Sequence, residues 1–231
     1  MTLTRAAVNI GKLRRMPALT VFRKLAHLIP FQPIDAAQLC FLRFEGVPRV
    51  SPAMLRGRGV VRCGTPADLD GLTALQNKKA IFAARFAAGD HCLVAVAEGR
   101  IVGYEWLCDQ PLHLEGEWHY PIQIPPGCVY AYDAYIDPAF RNGGVWLRFK
   151  SYLGEWMAAR GRRAVITFVE RGNVASWRTH LRFGFVPAMT VTAVRVCGRV
   201  FFHTRVEGDR WHALATQNER VIRRESLAAP D

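Results

Sequence analysis

The chain has 231 residues, half of them hydrophobic, and 31 Lys and Arg against 19 Asp and Glu give a net charge of +12. That length suits one large domain or one domain with an extension, and the hydrophobic share excludes wholesale disorder. The positive balance, carried mostly by arginine, favours anionic partners such as a nucleotide-bearing ligand, an acidic carrier protein, nucleic acid or a membrane surface.

Residues 1–55 interleave Arg5, Lys12, Arg14, Arg15, Arg23 and Lys24 with Leu13, Met16, Leu19, Phe22, Leu25 and Leu28. Spacings of three and four predict a basic amphipathic helix, interrupted at Pro17 and ended near Pro30. No stretch there reaches the ~20 apolar residues needed to span a bilayer, and the layout is not that of a signal peptide. Val60 to Cys63 reads as a short strand. Thr65-Pro66-Ala67-Asp68 is a helix start, with Thr65 as cap, Pro66 at the first position and Asp68 at the third. The helical region continues with breaks to about Ala88. His91 to Ala97 and Ile101 to Leu107 are apolar runs joined by Glu98-Gly99-Arg100, a hairpin signal. Residues 108–127, with four prolines and Trp118, His119 and Tyr120, are expected to be a long irregular loop.

Cys128 to Ile136 is an aromatic-rich strand, and Val145 to Arg160 a helix. Phe149, Tyr152, Leu153, Trp156 and Met157 fall on one stripe of that helix, with Gly161 as its C-cap. Ala164 to Val169 is a continuously apolar strand. Asn173 to Phe183 is a short helix capped by Asn173 and stopped by Gly184. Thr190 to Val196 and Arg199 to Val206 form a last hairpin, and Trp211 to Leu227 a polar helical tail. The order predicts a mixed α/β fold, a sheet of about six to seven strands flanked by helices. The expected domains are an N-terminal extension over 1–56, a core domain over 57–207 and a tail over 208–231. The six cysteines form no CxxC pair and sit mostly in apolar runs. They read as buried reduced thiols of a cytosolic protein, with no His/Cys spacing of a zinc site.

The most informative stretch is Ile136 to Trp146. Strand, Pro, Arg, glycine turn and helix start together build an anion cradle from backbone N–H groups and a helix N-terminus. Arg141-Asn142-Gly143-Gly144-Val145-Trp146, after Ile136-Asp137-Pro138, resembles the first signature of the GNAT superfamily of acyl-coenzyme A N-acyltransferases. Arg141 and Gly144 match it. Trp146 departs from it, standing where glycine or alanine is usual; its indole either crowds the site or points away and packs. Asn173, Ser176, Gly184 and Phe185 match the second signature by spacing, and His180 takes the place of a frequent tyrosine. The resemblance covers roughly residues 57–206.

The resemblance implies a GNAT fold and acyl transfer to an amine, with acetyl-CoA or another acyl-CoA as co-substrate and no metal. It implies that Arg141, Asn142, Gly143, Gly144, Val145 and Trp146 hold the pyrophosphate, with Asn173 and Ser176 completing the donor site. It makes His180 the acid that reprotonates the leaving thiolate. Thioester aminolysis also needs an oxyanion donor, a backbone N–H near Tyr135 or Ile136, and a base. Asp133 is the expected base, with Glu105 and Glu170 as rivals. Tyr130, Tyr132 and Tyr135 read as core or cleft wall, and Glu115 to Tyr120 as a lid or an exposed loop. Arg148 and Lys150 are expected to reach coenzyme A phosphates.

The expected acceptor is a primary amine of a small molecule. Two alternatives stand beside this reading. One is a long-chain donor on acyl carrier protein, suggested by Trp146 and by the basic segment 1–30, which would dock that carrier or a membrane surface. The other is a non-catalytic binding protein for anionic surfaces. Nucleic acid is disfavoured because the charge forms no single stripe. A cytoplasmic location, with or without attachment to the inner membrane face, and a homodimer complete the expectations.

Overall fold

A computed structural model describes residues 34–55 and 59–206. The expected amphipathic helix before Pro30 and the expected helical tail lie outside the described residues. Two compact units are distinguished: one comprises the described residues between 43 and 167, the other 34–42 and 168–206.

In the first unit, β2 (Val60–Cys63), β3 (His91–Ala97), β4 (Arg100–Cys108) and β7 (Cys128–Ile136) pair antiparallel in that order. β8 (Ala164–Glu170) then begins parallel to β7, with Cys128 opposite Ala164 and Tyr130 opposite Ile166. Helices α1 (Leu69–Leu75) and α2 (Lys79–Ala87) follow β2, and α3 (Val145–Ala159) joins β7 to β8. Phe82 of α2 meets Tyr104 edge-on at 5.2 Å and lies along Trp106 at 5.9 Å. The stripe of α3 is buried at Phe149, Leu153, Trp156 and Met157. Each such side chain contributes about 1.5–3 kcal/mol relative to exposure. Gly154 lets the chain pass close: a Cβ there would overlap the Pro48 carbonyl oxygen.

In the second unit, β9 (Val186–Val196) and β10 (Arg199–Val206) form the expected terminal hairpin. It also holds α4 (Val174–Phe183) and most of β1 (Ile34–Glu45). Asn173 caps α4 by accepting from the Ser176 N–H at 3.1 Å, and Gly184 ends it at φ 105°. Phe41 packs on Phe168 at 5.6 Å, and Arg171 donates to the Gln38 side chain at 2.9 Å.

Ten strands occur among the described residues, against the six or seven expected. β1 lies where the sequence suggested only an extension. Its run of buried residues from Asp35 to Leu42 shows no clean alternation, so its period was hidden. The expected loop at 108–127 contains a hairpin, β5 (Leu112–Leu114) with β6 (Pro121–Gln123). Trp118 and Tyr120 at its turn are buried, so they are core and not a lid. No described helix is long and apolar enough to cross a membrane.

Candidate active site

The stretch after β7 folds as a strand end, a 3-10 turn and a helix start. Asp137 caps a 3-10 turn at Pro138–Phe140, accepting from the Ala139 N–H at 3.0 Å. Arg100 reaches the same carboxylate at 2.9 Å. These bonds hold the Asp137 carboxyl below the usual carboxylate range, the Ala139 N–H foremost. Arg141 folds back: its Nε donates to the Ile136 carbonyl at 3.0 Å and its guanidinium lies 5.7 Å from the Tyr135 ring. Asn142 (φ 65°) and Gly144 (φ 78°) are both left-handed, so the chain reverses twice within three residues. A Cβ at Gly143 would lie 3.2 Å from the Phe140 carbonyl oxygen.

α3 begins directly after Gly144 with no side-chain cap and no acidic residue in its first turn. A helix leaves its first N–H groups without internal acceptors, and its dipole is positive there. The residue set therefore fits an anion such as a pyrophosphate. The Trp146 ring centroid lies 5.1 Å from Lys150 Nζ, one turn further along α3.

Beside the cradle, β7 carries a bulge. Tyr104 pairs with Tyr135 and Trp106 with Tyr132, so Glu105 stands opposite two residues, Asp133 and Ala134. Asp133 takes φ 40° there. Among the described residues, no β7–β8 register is recorded beyond Tyr130 and Ile166, so β7 continues from Ala131 to Ile136 along an open edge. The Asp137 N–H donates to the Val102 carbonyl at 2.9 Å, toward β4. Amides alternate along a strand, so the Ile136 N–H turns away from β4 and the Tyr135 N–H toward it. Of the two amides expected to face the oxyanion, Ile136 lies on the open edge. Gly103 permits the close β4 approach: its Cβ would fall 2.9 Å from the Tyr135 oxygen.

The bulge sorts the carboxylates. Asp133 Oδ2 accepts from Arg85 at 2.5 Å and Oδ1 from Lys78 at 3.2 Å. The Arg85 guanidinium lies over the rings of Trp106 (5.2 Å) and Tyr132 (4.9 Å). Nothing in the sequence singled out Lys78 or Arg85, because pairing with Asp133 depends on the tertiary fold. Glu105, the rival base, is buried and bonded to Lys150 Nζ at 2.5 Å. This corrects the expectation for Lys150, which is 1 % exposed and does not present its charge to a phosphate. Arg148 donates to the Leu55 carbonyl at 2.9 Å. Tyr130 is buried and Tyr132 nearly so, as core; Tyr135 is half-buried.

In the second unit, His180 is buried in the last turn of α4. Its Nδ1 lies 2.8 Å from the Ser176 carbonyl oxygen and its ring meets Phe185 edge-on at 4.9 Å. A carbonyl only accepts, so Nδ1 carries the proton and Nε2 is the nitrogen left for proton transfer. Of the cysteines, Cys40, Cys92, Cys108 and Cys128 are buried as expected, whereas Cys63 and Cys197 are exposed.

A mixed α/β fold with an uncapped helix start after a bulged strand suits a transferase whose donor carries phosphate. The profile of the acetyltransferase (GNAT) family matches residues 66–185, more than half of the chain. The chain belongs to the acetyltransferase (GNAT) family and is an N-acyltransferase. Its fold is similar to that of a putative GNAT-family acetyltransferase from Novosphingobium aromaticivorans, at 16 % identity over 75 % of this chain and 79 % of that one, with a TM-score of 0.51. It is also similar to a conserved protein of unknown function from Staphylococcus epidermidis, at 12 % identity over 77 % and 67 %, with a TM-score of 0.50. A ribosomal-protein-alanine N-acetyltransferase from Brucella melitensis aligns at 23 % identity over 64 % and 99 %, with a TM-score of 0.44. No curated protein sequence matches the chain.

Proposed function

We propose that the protein moves an acyl group, acetyl in the first instance, from acyl-coenzyme A to a primary amine of a small molecule by direct attack. The observation that carries this reading is the helix start after Gly144, which has neither side-chain cap nor acidic first turn. The N–H groups of Gly144, Val145 and Trp146 then donate to the diphosphate, with Arg141, Asn142 and Gly143 shaping the turn, and Asn173 and Ser176 serve the donor from the second motif. The bound donor supplies a thioester whose carbonyl carbon is open to an amine. Asp133 takes a proton from the acceptor ammonium; a carboxylate has about four lone-pair directions, so its bonds to Lys78, Arg85 and Tyr104 leave room for one more. The Ile136 N–H donates to the carbonyl oxygen as negative charge develops there, with the Tyr135 amide as the second candidate. As the C–S bond breaks, His180 in its imidazolium form gives the Nε2 proton to the sulfur and keeps Nδ1–H on the Ser176 carbonyl, and the second proton shed by the new amide nitrogen restores the imidazolium.

Residues 57–207 carry this chemistry in a cytoplasmic enzyme. The basic segment 1–30 is assigned to docking on the inner membrane face, or on an acidic carrier in the alternative reading, and a homodimer is the assigned assembly. Calorimetric titration with acetyl-, decanoyl- and palmitoyl-coenzyme A tests the reading, with Gly144→Trp as control. Saturable binding lost in the control supports it. Absence of binding to all three overturns it in favour of a carrier-protein donor or a non-catalytic role.

A further inference from the structure

We propose that Asp90, Cys108 and His113 form a binding site for a divalent ion of the zinc type. Their ligand atoms all lie within 4.8 Å of one another. They come from three separate places: the turn after α2, the last residue of β4, and the middle of β5. Local spacing in the sequence gives no metal motif, because only the tertiary fold brings them together. Zinc bonds of about 2.0–2.3 Å would draw these donors together by about 1 Å.

The donor set has the right chemistry. One sulfur, one imidazole nitrogen and one carboxylate oxygen suit zinc and disfavour magnesium or calcium, which take oxygen alone. A thiolate and a carboxylate cancel a divalent charge, so the loaded site is neutral and tolerates burial. Cys108 is 2 % exposed, while Asp90 and His113 are half-buried, which leaves an entry path and a fourth position for water. Binding releases one proton, that of the Cys108 thiol.

The surroundings hold the ligands in place. The Tyr132 hydroxyl donates to Asp90 Oδ2 at 2.5 Å, the outer-shell bond that orients a ligating carboxylate. The His113 ring lies 4.4 Å from the Tyr132 ring and 5.1 Å from Tyr130. Tyr130 is itself the partner of Cys108 across the β4–β7 ladder. Arg85, the nearby cation, has its charge met by Asp133. A metal here would cross-link the β5–β6 hairpin to the end of the main strands.

The test is a cobalt(II) titration of the full-length, metal-free protein, followed by zinc competition. One equivalent of cobalt with a thiolate-to-metal charge-transfer band is expected, abolished in Cys108→Ser and displaced by zinc. His113→Gln and Asp90→Asn should weaken binding at least 10-fold, and Tyr132→Phe about 10-fold. Zinc should also raise the melting temperature of the wild type and not of Cys108→Ser. Cobalt binding without the thiolate band, or no stoichiometric binding, overturns the proposal. If Cys108→Ser does not fold, His113→Gln decides: wild-type affinity there overturns the site.

Discussion

Glu105 and Asp133 flank the same bulge and turn their carboxylates in opposite directions. Glu105 meets Lys150 of α3, whereas Asp133 meets Arg85 of α2 and Lys78 just before it. One extra residue in β7 creates this division. It leaves one carboxylate sealed in the core and the other half-exposed beside the open edge.

The sealed pair sets a stability prediction. Glu105→Gln strands the Lys150 charge in the core and should cost about 3–5 kcal/mol in urea unfolding. Replacing both, with Glu105→Leu and Lys150→Met, should recover most of that loss. A Glu105→Gln protein as stable as wild type would show that the pair does not carry charge in the folded state.

The half-exposed carboxylate sets a kinetic one. Asp133→Asn should lower kcat/KM for the acceptor by about 10²-fold while acyl-coenzyme A affinity holds. Steady-state kinetics with calorimetric donor binding separates the two. Unchanged turnover would leave Asp133 only the role of anchoring Arg85 and Lys78.

His180→Ala should reduce turnover by about 10²-fold with near-normal donor binding. His180→Gln, which can still bond the Ser176 carbonyl through its amide, should keep the melting temperature of wild type but not its rate. Full activity in either variant would remove His180 from proton transfer.

These residues also show what was legible beforehand. The cradle could be read because its parts are contiguous: Ile136 to Trp146 carries strand end, turn and helix start in one run. The α3 stripe, the Asn173 cap and the Gly184 stop could be read for the same reason. The bulge could not, since a two-against-one register exists only between strands. Lys150 was misread because its nearness to the turn in sequence suggested phosphate, whereas the helix rotates it onto Glu105. Trp118 and Tyr120 read as a lid or an exposed loop because the prolines around them mask a short hairpin.

Acid stability gives a further check. Asp68 is held to about 2, below its ordinary 3.8, chiefly by the bidentate Arg62 guanidinium at 2.7 and 2.8 Å and also by the Thr65 N–H. Its folded value is depressed, so its contribution is full above about pH 4 and is lost as pH falls toward 2. Asp68→Asn should therefore melt below wild type at neutral pH, and the two curves should converge between pH 4 and 2. A constant gap across that window would assign the loss to packing. Melting curves at stepped pH decide it.

Because α3 begins without a cap of its own, the donor's phosphates would serve as the missing cap. Ligand binding would then complete a helix as well as fill a site. The first turn should exchange its amide hydrogens fastest in the free enzyme and slow markedly once the donor is bound, while the rest of α3 changes little. A donor analogue lacking the diphosphate would leave that turn as loose as before, however well its acyl chain fits.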